Sequence, residues 1–193
     1  MDAPLTLACA LAVEEKVARK AGARAARVGL GARLPLPDGP LVSFGLAGAL
    51  DPQLSPGVLV TATKVVDAGG ETVWEGEPVL VDGARPVVIC DAGEVVDAPA
   101  ARDALASASG ADAIDMESGP LAASGRLAGV VRVISDSRDQ PLGRLAFAAN
   151  LDGSTRWSVV ARAFLLHPVA SLRTAVRARR AIGRLKAAAE ALR

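Results

Sequence analysis

Three stretches of this chain bring acidic, hydroxyl or glycine residues to the ends of apolar runs. They are SFGLAGALD (Ser43–Asp51), AIDMESGPLA (Ala113–Ala122) and VVRVISDSRD (Val131–Asp139). Open α/β sheets place their ligand sites where strands end, and carboxylates gathered there are the residue types that general acid–base chemistry needs. Asp136 follows a six-residue apolar strand and is flanked by Ser135 and Ser137; its structural alternative is a capping residue before a turn. Asp115 and Glu117 bracket Met116. They share one face if the segment is extended and diverge if it is helical, the alternative being a solvated helix start. Gly45 and Gly48 let backbone N–H groups come close to an anion or a ribose, or else make a tight strand-to-helix turn. The glycines match neither GxGxxG nor a phosphate loop.

These segments need a scaffold. Apolar runs alternate with Ala-rich, helix-compatible stretches, the pattern of an α/β domain. Leu5–Val13 reads as a first strand feeding a helix over Glu14–Ala21. Leu41–Phe44 reads as a short strand ending at the Gly45-Leu46-Ala47-Gly48 turn. Val58–Val66, Val73–Val81 and Pro86–Cys90 read as further strands. Ala100–Ser109 reads as a helix, Gly119–Arg126 as a short helix, and Gly129–Ile134 as the strand leading to Asp136. From Pro141 the pattern turns helical. His167-Pro168 divides it, and Val169–Arg193 is expected to be one long helix.

The bulk numbers bound the classes. The chain has 193 residues, of which 51% are hydrophobic and 3% aromatic, so one domain with a core of small, closely packed side chains is expected. The formal net charge is +1, which offers no global attraction for nucleic acid. Cys9 and Cys90 lie in apolar runs and form no CxxC motif, as suits a reducing cytoplasm. The opening apolar stretch of about 9 residues is too short for a signal peptide or a span. No metal site is expected.

Taken together, the motifs resemble those of the nucleoside phosphorylases and the methylthioadenosine/S-adenosylhomocysteine nucleosidases. Gly45-Leu46-Ala47-Gly48-Ala49-Leu50, Gly57-Val58-Leu59-Val60, Met116-Glu117-Ser118 and Arg132-Val133-Ile134-Ser135-Asp136 follow that family's order and approximate spacing. The segments SFGLAGALDPQLSPG and NLDGSTRWSVVARAFLLHPVASLRTAVRARRA are most similar to the hopanoid-associated phosphorylases, which remove adenine from adenosylhopane.

The resemblance implies a single domain over residues 1–193, with a twisted mixed sheet flanked by helices and a helical extension from about residue 150. It implies cleavage of a purine nucleoside's N-glycosidic bond through an oxocarbenium-like transition state. Asp136 would be the general acid at the purine N7, its carboxyl kept protonated by burial. Glu117 would accept the ribose hydroxyls and favour the developing cation. Met116 would pack on the sugar, with Gly45, Leu46, Ala47, Gly48, Ser135 and Arg132 completing the substrate site.

The family's water-activating Glu aligns with Lys16, which would suit phosphate as a co-substrate, while Glu14 and Glu15 just upstream would suit water. Phosphorolysis and hydrolysis both stay open, as does a purine-binding homologue with little turnover. No cofactor is implied. A further departure is Gly93, which stands where the family stacks an aromatic on the base. Glu117 and Arg132 are also closer in sequence than the family pattern leads one to expect. A homo-oligomer, most simply a dimer, is expected.

The last segment carries Arg173, Arg177, Arg179, Arg180, Arg184, Lys186 and Arg193 against one acid, Glu190. It reads either as a surface helix or as a basic helix lying on the inner membrane face. RNA is disfavoured because no aromatic interleaves the arginines. His167, the only histidine, is expected to be structural at a helix break.

Overall fold

A computed structural model describes residues 4–193. The first strand, β1 (Thr6–Cys9), is fully buried and feeds α1 (Ala12–Lys20), followed by a short β2 (Ala25–Arg27) that the sequence pattern did not suggest. β3 (Leu41–Ala49), β4 (Leu59–Val66), β5 (Thr72–Glu75) and β6 (Arg85–Asp91) come next. Then follow α2 (Pro99–Ser109), β7 (Ala113–Asp115), α3 (Ser118–Ala123) and β8 (Leu127–Asp136). The chain ends with α4 (Trp157–Leu166) and α5 (Pro168–Ala191).

The strands form one mixed sheet. β1 lies parallel between β2 and β3, β3 runs parallel to β8, and β8 runs antiparallel to β4. β4 is parallel to β6, β6 to β7, and β7 meets the end of β3 antiparallel at Gly48 and Ala49. The strands β3, β8, β4, β6 and β7 therefore close upon themselves. Closure at this radius asks for thin side chains, and Ala47, Ala49, Ala62 and Ala113 sit in its packed interior with Val60, Val130 and Ile134. Successive residues of β8 alternate between two cores. Val130 and Ile134 point inward, whereas Val131 and Val133 join Leu7, Phe44 and Leu185 beneath the helices.

Two expectations are corrected here. The Gly45–Gly48 segment is not a turn: β3 continues through it to Ala49. The β-rich reading of Val73–Val81 survives only as β5, with the chain beyond Glu75 irregular. Elsewhere the boundaries shift by a few residues, most tellingly for β8, which includes Asp136 as its last residue. The long terminal helix is present, broken from α4 at His167. Its buried residues Ala181, Leu185, Ala188 and Ala189 recur at helical spacing and anchor it on the sheet.

Candidate active site

The carboxyl ends of β1, β3, β7 and β8 open into one cavity of about 360 Å³. That is the size of a small-molecule site. Its floor holds Ala47 and Gly48 from β3, Ser135 and Asp136 from β8, and Asp115, Met116 and Glu117 from the end of β7. Glu14 and Leu11 enter from the start of α1. One wall is the loop at Glu94–Asp97 with Arg102 of α2; a second wall is apolar, from Leu142, Leu145, Ala148 and Ala149 to Ala175 and Ala178 of α5.

At one end a single buried guanidinium organises three carboxylates. Arg132, fully buried in β8, donates from Nε to Asp115 at 2.9 Å, from Nη2 to the Ser43 hydroxyl at 2.7 Å, and from Nη2 to Glu117 at 3.3 Å. Burial opposes its charge, but Asp115, Glu117 and Glu14 outweigh that and hold the proton on more firmly than usual. Glu117 also accepts the Gly31 N–H at 3.1 Å. Glu14 accepts the Leu11 N–H at 2.8 Å, as an acidic residue in a first helical turn does, and the Leu46 N–H at 2.9 Å, which ties α1 to β3.

Burial makes it costly to keep several carboxylates charged around one cation. Burial pushes the Glu117 carboxyl up to about 7, with Arg132 pulling the other way and Asp115 and Glu14 adding to the rise. Burial raises Glu14 as well, again opposed by Arg132.

Gly45 belongs to this cluster and does not line the cavity. A Cβ there would lie 2.6 Å from Glu14 Oε1 and 2.7 Å from Arg132 Nη1, so the missing side chain makes room for both. Gly48 does face the cavity, with Asp136 Oδ2 and Arg102 Nη1 each 3.2 Å from where its Cβ would be.

At the other end stands Asp136, 2% exposed, accepting the Ser135 hydroxyl. It is not a solitary acid. The Arg102 guanidinium, 4% exposed, forms a salt bridge with it, donates to Ala49 O at 3.2 Å and Val96 O at 3.0 Å, and lies 3.8 Å from Asp97. Burial at this carboxyl is thus joined by a buried ion pair. Sequence reasoning missed Arg102. Its one signal was an arginine in an otherwise small-residue helix, facing the stretch where the aromatic was absent. Val95 and Val96 supply apolar surface to the cavity there.

The structure thus brings Asp136, Glu117, Glu14, Met116, Leu46, Ala47, Gly48 and Ser135 to one cavity, with Arg132 immediately beneath it. It does not bring Glu15 or Lys16. Glu15 pairs with Arg19 at 2.8 Å, and Lys16 is exposed in a shallow dent formed with Glu15, Arg19 and Lys20. The reason is helical phase. Glu14 points inward, and two residues further, at about 100° per residue, Lys16 points away.

No protein-family model matches the chain, and no curated protein matches it by sequence. Solved structures do match in fold. The 5′-methylthioadenosine/S-adenosylhomocysteine nucleosidase of S. pneumoniae, bound to a transition-state inhibitor, is 14% identical over 99% of this chain and 100% of its own, with a TM-score of 0.57. The Helicobacter pylori nucleosidase of the same name is 16% identical over 88% of this chain and 99% of its own, TM-score 0.58. Helicobacter pylori futalosine hydrolase is 15% identical over 88% and 97%, TM-score 0.57. At these identities the likeness is one of fold.

Proposed function

We propose that this chain cleaves the N-glycosidic bond of a purine nucleoside, releasing adenine from a 5′-substituted adenosine. The observation that carries this reading is the single cavity with carboxylates at two ends, Glu117 over Arg132 and Asp136 beside Arg102. Glu117 is the ribose end. Once ionised it accepts the 2′ and 3′ hydroxyls and stabilises the cationic sugar. Met116 packs on the sugar, Gly48 admits the ligand close to the backbone, and Asp136 meets the edge of the purine in company with Arg102. The fold shared with nucleosidases and futalosine hydrolase agrees with this assignment.

The nucleophile in this reading is water. Lys16, the candidate for phosphate, stands outside the cavity, and the ribose end is acidic, with Glu14 positioned to take a proton from water. An anion arriving beside Glu14 and Glu117 would be repelled. The test is adenine release from 5′-methylthioadenosine and from adenosine carrying a long apolar 5′ group, with and without phosphate. Equal rates in both buffers are expected. A requirement for phosphate overturns hydrolysis, and adenine binding without release makes the chain a purine-binding homologue.

The apolar wall from Leu142 to Ala178 favours an apolar 5′ substituent, of which the hopane of adenosylhopane is an example. A lipid-borne substrate fits a peripheral position on the inner membrane face, reached from the cytoplasm, and dimerisation belongs to the same proposal. Among the described residues no helix is long and apolar enough to cross a membrane.

One arginine of the basic helix is withdrawn from the membrane surface proposed for it, while Arg173, Arg179, Arg180 and Arg184 stay exposed. Arg177 is turned inward, donating to Pro141 O at 3.2 Å and Thr174 Oγ1 at 3.1 Å. The corner between α4 and α5 instead exposes Leu165, Leu166, Val169 and Leu172. Arg162 and Arg173 share the helical faces of these residues. Co-sedimentation with vesicles containing anionic lipid is expected at low salt and should be lost on charge reversal at Arg162 and Arg173. Binding indifferent to that reversal overturns the surface.

A further inference from the structure

We infer that Arg102 and Asp136 together read the base, with Arg102 donating to the purine N7 and Asp136 accepting from the 6-amino group. The inference rests on the purine reading above and reassigns N7 from the carboxyl to the guanidinium.

An ionised carboxylate only accepts hydrogen bonds, and a guanidinium only donates. Held side by side at the cavity wall, they present one acceptor and one donor. The outer edge of adenine presents the complement, an acceptor at N7 and a donor at N6. A 6-oxopurine presents acceptors at both positions, so its O6 would face a carboxylate with no proton between them. The pair therefore selects a 6-aminopurine.

Arg102 is built to stay where it is. Its Nε and Nη1 are fixed on Val96 O and Ala49 O, and Nη2 on Asp136. Three of its N–H groups are thus engaged, out of the five that a guanidinium carries, and because Arg102 lines the cavity the remaining two are the donors assigned to a ligand. Asp97, 3.8 Å from Nη2, accepts the Leu142 and Gly143 N–H groups, each at 2.9 Å, so the same corner ties the loop at Glu94–Asp97 to the apolar wall. A charge fixed in this way costs no reorganisation when the bond breaks. As C1′–N9 opens, its electron pair passes into the purine ring, the guanidinium beside N7 stabilises the charge gathering there, and the departing adenine anion takes its proton from solvent water.

The test is binding of free bases by calorimetry, which needs no turnover. Adenine, 7-deazaadenine (which lacks the N7 acceptor) and hypoxanthine are compared on the full chain and on Arg102→Lys and Arg102→Met. The full chain is expected to prefer adenine over 7-deazaadenine by about 10- to 100-fold, the worth of a hydrogen bond to a charged group. Arg102→Met should bring that ratio close to one, and Arg102→Lys, which keeps a charge in the pocket, should keep part of it. A ratio unchanged in Arg102→Met, in a variant whose far-ultraviolet circular dichroism matches the parent, overturns this proposal alone. Collapse of the ratio with no adenine release from any nucleoside upholds it and overturns cleavage. No adenine binding by the full chain overturns both.

Discussion

Asp136→Asn is expected to lower kcat/KM for adenine release by about 10- to 100-fold, the worth of a charged hydrogen bond to the 6-amino group. The side chain is nearly isosteric, and its amide oxygen can still accept from Ser135 or Arg102, so the cavity should keep its shape. What changes is charge. Arg102 loses its counter-ion, and the edge that meets the 6-amino group acquires a donor in place of an acceptor. Steady-state kinetics on the best nucleoside, with thermal unfolding as the control for folding, checks this. A variant that turns over at the parent's rate removes Asp136 from the chemistry, however well placed it is.

Arg132→Met should destabilise the fold by about 3–5 kcal/mol near pH 8, the cost of leaving buried charge without its partner. Asp115 and Glu117 lose their ion-pair partner, Ser43 loses a donor, and Glu14 loses the nearby positive charge. The cost should shrink toward pH 5.5, because protons can then replace the missing cation.

The intact protein carries the same signature in weaker form. Glu117 titrates at about 7 in the fold against an ordinary value of 4.5, so between those values the native state binds more protons than the unfolded chain. Stability from this group is therefore present below about pH 4.5 and declines as pH rises through 7. Glu14 shifts in the same direction. Denaturant unfolding across pH 5.5–8 should show the decline in the parent and a shallower one in Glu117→Gln. Equal slopes would mean that Glu117 is not the titrating group. Ionised Glu117 is also the form the sugar cation needs, so kcat/KM should rise with pH through about 7 even as stability falls.

Some of this was written locally. Cleavage points such as His167-Pro168, the Ala/Arg/Leu run that becomes α5, and the β-rich run that becomes β8 rest on nearest-neighbour physics: proline's steric demand, helical propensity, and the preference of branched residues for strands. Asp136 and Glu117 were legible for the same reason, since an acid closing an apolar strand stands out in any window that contains it.

Other features had no local signal. Glycine weakens a strand interior, so Gly45 and Gly48 read as a turn. They stay extended because β8 runs alongside them, and Gly45 is glycine because Glu14 and Arg132 occupy the space a side chain would need. Choosing among Glu14, Glu15 and Lys16 required the helix's rotational phase against β3, which the bond from the Leu46 N–H sets. Arg102 lies 34 residues before Asp136 in sequence and meets it only because β7 and β8 both pair with β3. A chain specifies by itself which residues prefer strand, helix or interior. Which charges share a buried cavity, and hence which of them keep their protons, depends on long-range pairing that no short stretch of sequence contains.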